Sequence, residues 1–137
     1  MEERVRKLML SGVGRYEEAI GCFDAVLAID PNTADVWNYK AWIFANNNKN
    51  EEALHFAERS LEIDPNNVAA LDTKGFIFYN LNQYEKALEY YDKALSLEPN
   101  DAETWNHKGS VLDKVGRREE AENCFDKAKG LELKNNL

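Results

Sequence analysis

Proline occurs only three times in this chain, at Pro31, Pro65 and Pro99, so neighbouring prolines are 34 residues apart. Proline cannot continue an α-helix, because it lacks the backbone N–H and its ring clashes with the preceding turn. Each proline therefore marks the end of a helical segment. A fixed period in this range predicts a solenoid of repeating helix pairs, and the 137 residues have room for four of them.

Other positions follow the same period. Small residues recur where the two helices of a pair should touch, at Ala19, Ala53, Ala87 and Ala121 and at Ala41, Gly75 and Gly109. Glycine or asparagine recurs where the first helix of a pair should end, at Gly14, Asn48, Asn82 and Gly116. Small side chains let helices approach closely, and Gly and Asn tolerate the left-handed conformation that ends a helix. The period thus predicts a close helix contact and a tight turn within each pair.

The apolar periodicity predicts where the helices lie. Residues 1–13 should hold the first helix of the first repeat, and a second helix should start at Tyr16 and stop at Asp30-Pro31. Further helices are expected near 34–47, 50–63, 68–81, 84–97, 102–115 and 118–132. The last helix is expected to run on toward Leu137, because no proline stands in its way.

The stretch 68–101 carries a family resemblance. Its large, small, aromatic and proline positions are, in order, Leu71, Gly75, Phe78, Ala87, Tyr91, Ala94 and Pro99. In this spacing the stretch resembles the tetratricopeptide repeat, whose pattern is W-x2-L-G-x2-Y, then A-x3-F, then P. The resemblance implies an all-α fold, a right-handed superhelical solenoid of antiparallel helix pairs. It implies a single domain over residues 1–137, with repeats at approximately 1–33, 34–67, 68–101 and 102–135.

The charge balance narrows the class of partner. Asp and Glu number 25 against 17 Lys and Arg, so the formal net charge is −8 and the pI is near 4.8. Nucleic acid and anionic membranes need clustered basic residues, so we expect neither as a partner. The longest apolar run near the N-terminus, Leu8-Met9-Leu10, is too short for a signal peptide or a membrane helix. The expected location is therefore the cytoplasm.

No group of residues has the spacing that catalysis or metal binding requires. The two histidines, His55 and His107, fall on helices of different repeats, and no metal-ligand motif or phosphate-binding loop occurs. Cys22 and Cys124 lie three repeats apart, so no disulfide is expected between them. We predict a non-enzymatic protein with no catalytic residues, metal site or cofactor.

The family resemblance implies that the first helix of each pair lines a concave groove and that ligands bind there. The stripe one residue beyond positions 37, 41 and 44, with its immediate neighbours, should face this groove. The predicted peptide-binding residues are Asn38, Tyr39, Trp42, Asp72, Phe76, Tyr79, Asn106 and His107. Amide and carboxylate groups can hydrogen-bond an extended peptide, and aromatic rings offer apolar contact area. The alternative is that the rings fill gaps between adjacent first helices and the asparagines are solvated.

A row of lysines also follows the period, at Lys40, Lys74 and Lys108. Such a row could bind an anion, but lysine stems commonly lie over apolar surface while the ammonium groups stay in water. We expect the second arrangement, because Asp and Glu outnumber the basic residues.

The two ends of the array support a second function. Apolar residues near the C-terminus are expected to leave open surface, namely Leu131, Leu133 and Leu137 with Val111, Leu112 and Val115 behind them. Repeat arrays usually need polar caps at their ends. The sequence therefore favours a protein–protein interaction scaffold that binds a partner peptide or protein segment in its groove. The alternative is a structural self-association module, possibly a homodimer through its terminal repeats.

Overall fold

A computed structural model describes residues 15–136 of the chain. This range contains seven α-helices and no strand: α1 (Tyr16–Ile29), α2 (Ala34–Asn46), α3 (Asn50–Ile63), α4 (Val68–Asn80), α5 (Tyr84–Leu97), α6 (Ala102–Lys114) and α7 (Arg118–Asn135). The helix predicted within residues 1–13 lies outside the described residues, as does Leu137. The predicted helices from Tyr16 onward are confirmed, and α7 runs on to Asn135 as expected.

The turns inside the helix pairs have the predicted backbone conformation. Asn48 and Asn82 have positive φ angles of 62° and 61°, and Gly116 has a φ of 87°. Each lies between the first and second helix of a pair, where the chain must reverse direction within a few residues. Asparagine is one of the few residues with a side chain that adopts this conformation readily. Gly14, the fourth predicted position, is not among the described residues.

The loops between pairs are held by the residues that flank the prolines. The side-chain carboxylates of Asp30 and Asp64 accept hydrogen bonds from the backbone N–H groups two residues later, at 3.0 and 3.2 Å. The indole N–H of Trp37 donates to the carbonyl of Pro31 at 2.8 Å. Each first helix therefore starts from a loop whose polar groups are already paired.

Close contact within a helix pair depends on glycine opposite an aromatic ring. A Cβ atom built on Gly75 would lie 2.7 Å from the Tyr91 ring, and one on Gly109 would lie 2.6 Å from the Phe125 ring. Carbon atoms do not approach so closely, so only glycine fits at these two places. In the preceding pair the position 34 residues before Tyr91 is Ala57, and Ala41 takes the place of glycine.

The described residues form two compact units, one up to Ala70 and the other from Leu71 onward. In the first unit, the Trp37 ring stacks on Phe56 with centroids 6.0 Å apart, and Phe44 meets the same ring edge-on at 4.9 Å. These contacts confirm that positions 37 and 44 face the second helix of their pair. A single domain over residues 1–137 stays a prediction.

The second unit has a buried interior that includes two residues expected at the surface. Its largest fully buried side chains are Tyr91, Ile77, Leu112, Val111 and Thr104. Val111 and Leu112 are each 1% exposed, so the expectation that they contribute to an open apolar surface was wrong. They turn inward because α6 packs against both α5 and α7. Leu133, in contrast, is 61% exposed as expected.

Replacing Gly75 with alanine should destabilise the protein by about 1 kcal/mol or more, because the added methyl group overpacks the buried Tyr91 ring. Gly21→Ala is the matched control, since nothing lies within 4 Å of a Cβ built at Gly21 in the middle of α1. There alanine should raise stability by about 0.5–1 kcal/mol through helix propensity alone. Urea unfolding followed by circular dichroism measures both. Equal effects of the two substitutions would contradict the close packing.

Candidate functional site

Three of the predicted groove residues lie on α2, in the first unit. Asn38 is only 5% exposed, and its amide oxygen, Oδ1, is buried without a hydrogen-bond donor among the described residues. Burying a polar atom without a partner costs about 1–3 kcal/mol, so this oxygen is an exception that calls for a physical reason.

The two aromatic residues beside Asn38 are partly buried. The Tyr39 ring lies 5.9 Å from the ring of Phe23, measured between centroids. Trp42, one helical turn beyond Asn38, packs against the same core cluster as Tyr39. Both rings therefore contribute to the packing of α2 on α1, and both keep part of their surface open. The packing role proposed as the alternative is real here, and it leaves apolar area beside Asn38 uncovered.

In the second unit, Asp72 joins α4 to α6. Its carboxylate lies 2.9 Å from the Nδ1 atom of His107 and 2.9 Å from the hydroxyl oxygen of Thr104. A carboxylate only accepts hydrogen bonds, so Nδ1 must carry the proton. The Thr104 hydroxyl also lies 3.0 Å from Asp101 Oδ2, and its one proton is shared between two carboxylates. Asp72 is therefore engaged within the fold.

The environment of His107 favours its charged form. Burial alone would lower the pKa of this imidazole, but the hydrogen bond and negative charge of Asp72 and the charges of Glu103 and Asp101 outweigh it, so the pKa is raised. The ring lies 5.8 Å from that of Tyr91, between centroids. Burial and the nearby Asp72 charge raise the pKa of Tyr91, so this phenol stays neutral.

The other predicted groove residues of the second unit keep partly open surfaces. Phe76 is partly exposed on α4, and Tyr79, also partly exposed, has its ring 5.8 Å from that of Tyr84. The amide of Asn106 donates to Glu132 at 3.3 Å. Asn38, Asp72 and Asn106 are therefore not equivalent: one has an unpaired oxygen, one bridges two helices, and one reaches toward α7. That these residues bind a peptide stays a prediction.

The periodic lysines form ion pairs that the sequence analysis missed. The Nζ atom of Lys40 lies 2.7 Å from Asp24, and that of Lys108 lies 2.7 Å from Asp92. The Lys40 side chain is only 14% exposed, and its ammonium group lies over the Phe56 ring at 4.5 Å. The expectation that these ammonium groups stay in water was therefore wrong for Lys40. Acidic residues at positions 24, 58 and 92 share the 34-residue period and were the available signal.

Residues 15–136 contain no group of three His, Cys, Asp or Glu side chains placed to hold a metal ion. Within the same range, no helix combines the length and the apolar character needed to cross a membrane.

Helix pairs that repeat at 34-residue spacing define a helical repeat protein. Three sequence models of the tetratricopeptide repeat match the chain, over residues 10–68, 73–101 and 90–123. The chain belongs to the tetratricopeptide repeat family. No curated protein sequence matches it significantly.

Solved structures of MamA have a similar fold. One, which spans position 41 to the end of MamA from Desulfovibrio magneticus RS-1, is 25% identical with a TM-score of 0.76, over 90% of this chain and 70% of that chain. A crystal structure of MamA is 21% identical with a TM-score of 0.74, over 88% of this chain and 70% of that one. Together with the helices, these matches confirm an all-α tetratricopeptide solenoid. Proteins of this kind are protein–protein interaction scaffolds and are typically not enzymes.

The ion pair between His107 and Asp72 should make stability depend on pH. Because the folded pKa of His107 is raised, the pair contributes fully below the unfolded value of about 6.5, and its contribution is lost as the pH rises through the folded value. The unfolding midpoint of the wild type should therefore fall, relative to that of His107→Gln, as the pH rises from 5 to 8. His55→Gln, at an exposed site on α3, is the matched control. Parallel curves for the wild type and His107→Gln would contradict the assignment.

Proposed function

We propose that this protein is a non-enzymatic adaptor whose first helices bind an extended segment of a partner protein. The observation that carries the proposal is the amide of Asn38. Its Oδ1 atom has no donor among residues 15–136, although the side chain is more than nine-tenths buried. A backbone N–H group of a bound peptide would supply the missing donor, with a small rotation of the amide to meet it.

The surroundings of Asn38 suit such a ligand. Trp42 lies four residues further along α2, on the same face, and keeps part of its indole open. Its position is fixed by packing against the core cluster that contains Phe23, so little entropy is lost when a ligand covers it. A fixed aromatic surface beside an unpaired amide can hold both the side chains and the backbone of a peptide.

The second unit offers a related surface. Phe76 and Tyr79 are partly exposed on α4, and the ion pair of Asp72 with His107 adds a polar edge. The net charge of −8 favours a basic or apolar segment over an acidic one. We do not propose nucleic acid or a membrane as the partner. Cys22 and Cys124 are both free thiols, which suits a reducing compartment, and the cytoplasm is the proposed location.

Random peptides displayed on phage and selected on the full chain provide ligands without knowledge of the natural partner. For the selected peptides, Trp42→Ala should weaken binding about tenfold or more by isothermal titration calorimetry, because buried aromatic anchors dominate such interfaces. Asn38→Ala should also weaken binding. Phe125→Ala is the matched control, because this ring is 37% exposed on α7, away from the first helices, and its loss should leave affinity unchanged. Equal affinities for the wild type and Trp42→Ala would overturn the proposal.

A second candidate function is self-association through the last repeat. Leu133 is 61% exposed, and Val115 and Phe125 are each 37% exposed. If these residues bury one another in a dimer, light scattering should give twice the chain mass, and Leu133→Glu should restore the monomer mass. A monomer at every concentration tested would remove this candidate and leave the adaptor.

A further inference from the structure

The second unit contains an open cleft of about 370 Å³ on the side formed by the second helices. Its lining comes from α5, from α6, and from the turn and first residues of α7. Leu88 and Leu112 form an apolar floor, since they are 7% and 1% exposed, and charged side chains surround it. The volume is in the range of ligand-binding clefts. None of the predicted groove residues contributes to this lining.

A change of side-chain size in the last repeat explains the space. In the second repeat Phe44 meets Phe56, and in the third repeat Phe78 stacks on Tyr90. The corresponding residues of the fourth repeat are Leu112 and Cys124, which carry no aromatic ring. Two smaller side chains fill less of the junction, so a depression remains beside α5.

The charges around the floor are unequal. Four carboxylates line the cleft, from Glu85, Glu89, Asp92 and Glu120, against the two cations of Lys108 and Arg117. Both cations are paired within the cleft: Lys108 lies 2.7 Å from Asp92, and Arg117 lies 2.6 Å from Glu120.

Two carboxylates on α5 remain available. Glu85 forms no ion pair among the described residues. Glu89 has only an exposed contact to Lys93 at 3.5 Å, which contributes little. Because Glu85 and Glu89 are four residues apart, they stand on one face of α5 above Leu88.

The surplus of acid is particular to this junction. At the positions 34 residues earlier, the two carboxylates Glu51 and Glu58 are matched by the two lysines Lys74 and Lys86. The remaining charged positions are taken there by His55 and a glutamine. The repeat pattern alone therefore does not require the acidic wall.

We propose that this cleft docks a segment of a partner protein that contains lysine or arginine. The aliphatic stem of such a residue would lie over Leu88 and Leu112. Its charged end would reach Glu85 or Glu89, and an arginine could bind either carboxylate through two hydrogen bonds. The overall charge of −8 would draw a basic segment toward the protein. The site lies on the second helices, so it adds a surface to the groove of the proposed adaptor.

The test uses a short fluorescein-labelled peptide of alternating arginine and alanine and the full chain, with fluorescence anisotropy at low salt. Glu85→Gln/Glu89→Gln should weaken binding about fivefold or more, because it removes both free carboxylates and leaves the floor intact. The same peptide with glutamate in place of arginine should not bind.

Glu51→Gln/Glu52→Gln is the matched control. It removes the same net charge from exposed residues in the first turn of α3 and should leave the affinity unchanged. An equal loss in both variants would reduce the attraction to overall charge and overturn the site, and so would an unchanged affinity in Glu85→Gln/Glu89→Gln. Circular dichroism checks that each variant keeps the helix content of the wild type.

Discussion

The close approach of the two helices in each pair is the constraint on which the rest of the structure depends. Gly75 and Gly109 lie directly against aromatic rings, so each of these pairs has one spacing that its side chains permit. This contact turns one stripe of the first helix toward its partner and leaves the next stripe, which carries Trp42 and Phe76, partly open. The same packing therefore stabilises the repeat and determines which residues are available to a ligand.

Polar contacts tie neighbouring repeats together and compete with binding for the same residues. Asp72 holds Thr104 and His107 across two first helices, so its carboxylate is not free in the way its sequence position suggests. Lys108 is likewise paired with Asp92. Asn38 has no such partner among the described residues, and this difference makes the first unit the better place to expect a bound peptide.

The helices and turns were predictable because they depend on local sequence. Asn48, Asn82 and Gly116 sit in left-handed turns where the period placed them. The site was less predictable, because its contacts join residues far apart in sequence, such as the Asp72–His107 pair separated by 35 positions. Whether Asn38 is paired or orphaned depends on every neighbour of its amide, and no spacing in the sequence records that. The acidic cleft arises from a loss of volume at Leu112, whose significance only the packed helices reveal.

Hydrogen–deuterium exchange of the full chain, with and without a selected peptide, tests the central claim most directly. The adaptor account predicts that the peptide slows exchange in α2 and α4, which carry Asn38, Trp42 and Phe76, and leaves α7 unchanged. Protection confined to α5, α6 and α7 would place the peptide elsewhere and contradict binding by the first helices.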